Sequence, residues 1–155
     1  MKSPADTDPA HWHRFFAASA NNAAWTLAEL PGAELDSKAL LDAAHAAAWH
    51  WQHVGNELNQ MRARMLLALA HARAGLGATA LAYVDEVRAF FATRENVADL
   101  ENAFIHTIHA YAAFAAGDRA KHASSYAEAT RAYAAIAAEQ DRDVLQRVLV
   151  HVPAP

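Results

Sequence analysis

Two pairs of histidines have the spacing to do chemistry. His50 with His53, and His106 with His109, each stand at i, i+3, which on a helix puts both imidazoles on one face within chelating reach. Glu57 follows His53 by one helical turn and could supply an oxygen ligand. If the two helices faced each other across a groove, four ring nitrogens would meet. Such a nitrogen-rich set without thiolate suits zinc, copper(II) or nickel rather than calcium. Neither His-Glu-x-x-His nor the Glu-x-x-His of di-iron bundles occurs, however. The chain carries ten histidines, enough for such pairs to arise by chance, so solvated or hydrogen-bonded histidines are the competing reading.

A second group is cationic. Arg62, Arg64, His71 and Arg73 line one predicted helix, and Arg64 and His71, seven apart, share a face. They could clamp a carboxylate-bearing peptide tail or an acidic small molecule, or they could pair with Glu57, Asp85 or Glu86. Glu101 falls on the apolar side of its helix, where an unpaired charge is costly; in the first turn it also favours the positive end of the helix dipole. Nucleophile constellations are absent: no serine sits in a G-x-S-x-G elbow, and Gly75-Leu76-Gly77 reads as a helix stop rather than a phosphate cradle.

Seven helices are predicted to position these residues, and no segment alternates with period two, so no strand is expected. Asp8 caps the first with Pro9 at its first position, and Pro31-Gly32 stops it. Asp36 or Ser37 caps the second, which runs to Val54. The third spans about residues 57–74, the fourth ends near Thr93, and the fifth begins near Asn96 and stops at Gly117-Asp118. The sixth covers about 119–138 and the seventh 142–150. Residues 1–8 read as a flexible leader, 9–151 as a single helical-repeat domain and 152–155 as a tail.

Short connections make consecutive helices antiparallel, and internal repetition favours stacked hairpins over a closed bundle. At an offset of 42 residues, Ala68, Ala70, Ala74, Gly75, Ala78 and Glu86 fall on Ala110, Ala112, Ala116, Gly117, Ala120 and Glu128. Gly32 marks a fainter third copy. This pattern of a long apolar helix, a glycine stop and a second helix resembles the tetratricopeptide class, though the class period is shorter and its full signature is missing.

On the second helix Leu40, Ala44, Ala47, Ala48, Trp51 and Val54 form the core stripe. Trp49 and His53 then point the other way, with His45 and His50 flanking them. A tryptophan off its own core stripe calls for a second surface: neighbouring packing, a homodimer interface or the concave binding face of a solenoid.

Composition narrows the function class. The 155 residues carry a formal charge of −4 with scattered Lys and Arg, so no basic stripe for nucleic acid is present. There is no cysteine, which excludes disulfides, thiol catalysis and zinc–thiolate sites. No apolar run reaches membrane-spanning length and the N-terminus lacks a signal or transit pattern, so a cytoplasmic protein without membrane contact is the expectation.

The run His45-x-x-x-x-His50-Trp51-x-x-Val54-Gly55, followed by Asn59-x-x-Arg62-Ala63-x-x-Leu66-Leu67, resembles a signature of short uncharacterised bacterial proteins. The likeness continues through Ala80-Leu81 and Ala103-Phe104 to Gly117-Asp118. It implies an all-helical, tetratricopeptide-like fold and nominates His45, His50, Trp51, Asn59 and Arg62; it implies no activity. The chain departs from the pattern at His106-Thr107, where a tyrosine–glutamate pair is expected, so the carboxylate role would move to Glu101.

The leading expectation is a non-enzymatic helical-repeat scaffold without cofactor, binding a protein or peptide partner on its concave face. His45, Trp49, His50, Asn59, Arg62, Arg64, His71 and Glu101 are its candidate contacts. The alternative is a metal- or small-ligand-binding protein, in which case an enzyme becomes conceivable, using His50, His53, His106 and His109.

Overall fold

The computed structural model describes residues 8–155, so the expected leader lies outside the described residues except for Asp8. The chain forms α1 (Pro9–Ala28), α2 (Ser37–Val54), α3 (Glu57–Arg73), α4 (Gly77–Ala92), α5 (Asp99–Ala115), α6 (Arg119–Ala135) and α7 (Glu139–Leu149). Among the described residues there is no strand. Helix starts follow local chemistry: Asp8, Asp36 and Asp118 each accept a backbone N–H at the first turn of α1, α2 and α6, satisfying donors that have no partner within the helix.

Consecutive helices pack as the hairpins α1/α2, α3/α4 and α5/α6. The odd-numbered helices also touch one another in order, α1 on α3, α3 on α5 and α5 on α7. They therefore form one layer, and α2, α4 and α6 lie outside it. The 42-residue repeat is visible in the backbone at its two glycine stops. Gly75 (φ 76°) and Gly117 (φ 73°) both adopt the left-handed conformation. The residue after each closes the same bond back over the helix end, Leu76 to His71 and Asp118 to Ala113. This is the Schellman ending that glycine permits without a Cβ penalty. Gly32 lacks that conformation and α1 already stops at Ala28, so the third copy is structurally weaker.

Four boundaries move from their expected places. α1 ends three residues before Pro31. α5 begins at Asp99 rather than near Asn96, because Asn96 sits at φ 58°. α6 stops at Ala135, where Ile136 turns extended and buries its side chain. α7 consequently starts earlier, at Glu139, and Val152 in the expected tail is buried.

The core is one cluster running through the stack, with Leu40, Leu66, Leu69, Val84, Val87, Ile108, Leu145 and Val148 fully enclosed. Alanine lets the helices approach closely. At the start of α4, a Cβ on Gly77 would overlap the backbone of Ala115 and Ala116. α7 caps the odd-numbered layer. Its end reaches back to the first hairpin, where Arg147 lies 3.6 Å from the Glu29 carboxylate and the His151 Nε2–H donates to the Glu29 carbonyl at 3.0 Å. Arg73 ties the same end together by donating to the Leu30 carbonyl and lying 3.5 Å from the Tyr111 hydroxyl.

Candidate functional site

α7 covers one end of the odd-numbered layer and leaves the other uncovered. There Trp25 of α1, Met65 of α3, and Leu100 and Phe104 of α5 surround a cleft of about 260 Å³. Trp25 meets Phe104 edge-on, with ring centroids 5.4 Å apart. At its rim Arg62 grips Glu101 with two bonds, Nε to Oε1 at 2.7 Å and Nη2 to Oε2 at 2.9 Å. Glu101 is thus paired across helices while also sitting in the first turn of α5. The bidentate contact raises the Arg62 pKa beyond its already high ordinary value. On the far side of this pair a second hollow of about 320 Å³ continues past Leu58, Phe90, Arg94 and Val97.

The four histidines expected to share a metal are not brought together. His50 and His53 lie at the C-terminal end of α2, where His13 of α1 inserts beside them. The Nδ1 atoms of His13 and His50 are 2.9 Å apart, so one ring donates and the other accepts. His13 also stacks on His53 at 4.4 Å, and the His53 Nδ1–H donates to the Trp49 carbonyl. Burial, then the neighbouring His13 and His53, lower the His50 pKa. On α5, His106 faces Glu128 of α6 at 3.0 Å, and His109 is engaged elsewhere. Among the described residues no group of three or more ligating side chains could hold a metal ion. The physical reason is register: the two pairs face different partner helices, α1 for one and α6 for the other.

His109 is buried between α4, α5 and α6. Its Nδ1 lies 2.7 Å from Ser125 Oγ, and its Nε2 lies 3.1 Å from Arg88 and 3.4 Å from Asp85. Serine, histidine and aspartate in line suggest a hydrolytic triad, but the donors decide otherwise. Arg88 can only donate, so Nε2 accepts, Nδ1 carries the proton, and Ser125 Oγ receives it. The imidazole cannot take a proton from Ser125 in this arrangement. Burial, followed by the Arg88 charge, also lowers the His109 pKa to about 4, too acidic for a general base at neutral pH. Ser125 itself is 2% exposed. The trio is a buried tether.

The remaining nominated residues fall in two places. Asn59 closes a reciprocal capping box with Asn56 at the start of α3, a structural duty at a helix end. His45, Trp49 and Arg64 line a separate pocket between α2, α3 and α4, above the buried His71. Arg64 pairs there with Glu86 at 2.8 Å, and Glu57 takes Arg94 instead. Trp51 packs against the core as expected, whereas Trp49 is 53% exposed.

Sequence reasoning missed His13, Trp25 and the Arg88–His109–Ser125 chain. A signal existed for His13: a hairpin turning about Gly32 carries it opposite residues near 51. No protein-family model matches the chain, and neither a curated protein nor a solved structure matches it.

Proposed function

We propose that this chain is a non-enzymatic, tetratricopeptide-like binding module that takes an extended protein segment across the open end of its concave layer. The carrying observation is the pair of hollows on either side of the Arg62–Glu101 ion pair, which both include Ala98 in their lining. Two hollows with apolar residues in their linings, separated by a polar bridge, match an extended chain. Alternate side chains would enter the hollows while the backbone meets a guanidinium donor and a carboxylate acceptor between them. The floor of Trp25, Met65, Leu100 and Phe104 supplies the aromatic and sulfur-bearing surface that such sites favour.

The test is selection of random peptides on the intact protein, followed by affinity measurement against Leu100→Asp and Trp49→Ala. Peptides seated in the cleft bind Leu100→Asp at least tenfold more weakly and Trp49→Ala unchanged, because Trp49 lies outside it. Selected peptides indifferent to Leu100→Asp, or no selectable peptide at all, would overturn the proposal.

A further inference from the structure

The pocket between α2, α3 and α4 is distinct from the concave cleft, and the repeat supplies an internal control for it. At the 42-residue offset, Leu67 and Tyr83 of this pocket correspond to His109 and Ser125 in the next hairpin. There the imidazole and hydroxyl bond to each other at 2.7 Å. The salt bridge beneath is repeated too, Arg64–Glu86 in one copy and His106–Glu128 in the next. Leu67 and Tyr83 make no such bond, and the pocket that they line holds about 180 Å³. The two copies therefore differ at these two positions, a hydrogen-bonded pair in one and a leucine beside a tyrosine in the other.

The lining carries a specific chemistry. Trp49 and Tyr83 offer aromatic surface, while His45, Gln52, Gln60 and Arg64 offer polar edges. Gln60 donates its amide to the Gly55 carbonyl at 3.2 Å, which leaves its own carbonyl oxygen to accept. His71 is 6% exposed and its ring lies against those of His45 and Tyr83, both pocket residues. The His71 Nδ1–H donates to the Leu67 carbonyl at 2.8 Å, so in the neutral ring Nε2 is an acceptor with no protein partner. Charge is balanced locally, because Glu86 pairs with Arg64, and burial lowers the His45 pKa, which favours its uncharged form.

We propose that this pocket binds a small, planar, uncharged heterocycle with both donors and acceptors on its edge, of the purine or pyrimidine base class. The volume lies below the roughly 300 Å³ at which drug-sized pockets begin, so one or two rings fill it. Stacking on the indole or phenol is worth about 1–3 kcal/mol for any base, and carboxamide edges read the donor–acceptor pattern as glutamine does with adenine. Glu86 already balances the Arg64 charge, so a carboxylate ligand gains less from that guanidinium than from an unpaired one. A purely apolar ligand would strand the Gln60 carbonyl without a partner.

Adenine and uracil, with benzoate and indole as comparison ligands, are titrated into the intact protein while ligand-detected NMR and tryptophan fluorescence are recorded. At least one base binds saturably, more tightly than benzoate or indole, and loses at least tenfold in affinity in both Gln60→Leu and Trp49→Ala. Trp49 is half-exposed, so its removal leaves the fold intact and keeps the test decisive if Gln60→Leu destabilises the chain. Base binding unaltered by Trp49→Ala, preference for benzoate or indole, or no base binding at millimolar concentration would each overturn the proposal.

Discussion

His109 makes the fold sensitive to acid, and the size of the effect follows from its surroundings. In the unfolded chain the ring titrates near the ordinary value of 6.5, while in the folded protein its pKa is about 4. A base with a depressed native pKa binds fewer protons folded than unfolded, so stability falls as pH drops below about 6.5 and the loss levels off below about 4. The difference of 2.5 pH units corresponds to roughly 3 kcal/mol at full effect, with about 2 kcal/mol already lost at pH 5. His45, His50 and His106 have pKa values lowered in the same direction and steepen the total. A comparison with His109→Asn isolates the contribution of His109. The Asn side-chain amide can still donate to Ser125 but cannot titrate. Urea unfolding of both proteins at pH 7.5, 6, 5 and 4 is the assay. The stability gap between them is expected to narrow by about 3 kcal/mol across that range. Parallel pH profiles for the two proteins would refute the assignment of His109 as a buried neutral acceptor for Arg88.

The other expectations concern packing and capping. Gly77→Ala forces a Cβ into the backbone of Ala115 and Ala116 and should cost about 3 kcal/mol in thermal or urea unfolding, at the upper end of overpacking effects. Gly75→Ala meets open space but must hold φ 76°, so its cost is smaller, about 1 kcal/mol. Asn56→Ala removes one half of the α3 capping box and should lower stability by about 1 kcal/mol without changing the far-ultraviolet spectrum. Leu145→Ala, at a fully enclosed α7 position, should cost about 2–5 kcal/mol. Retained stability in that variant would show that α7 is not part of the cooperative core.

The helices were legible because each signal was local. Asp8-Pro9, Asp36 and the two glycine stops act within one turn of chain, and the repeat offset duplicates them. The boundaries around Asn96, Ile136 and Glu139 were not, since they are settled by a left-handed asparagine and a buried isoleucine rather than by the apolar period. Within the sites, Arg62 and Glu101 were both nominated, yet their pairing depends on how α3 lies against α5, which spacing along a helix cannot report. The same gap separated His50 from His13 and joined His109 to Ser125. Histidine spacing placed rings on faces; only the neighbouring helix decided what each face met.

The most direct test of the binding role maps where a selected peptide sits. Methyl and aromatic NMR shifts of the intact protein, recorded during titration with the tightest peptide from the selection, provide that map. Binding across the open end of the odd-numbered layer predicts the largest changes at Trp25, Met65, Leu100 and Phe104, with little response from Trp49 or Tyr83. Changes centred on Trp49 and the α1/α2 edge, with the four cleft residues silent, would contradict it.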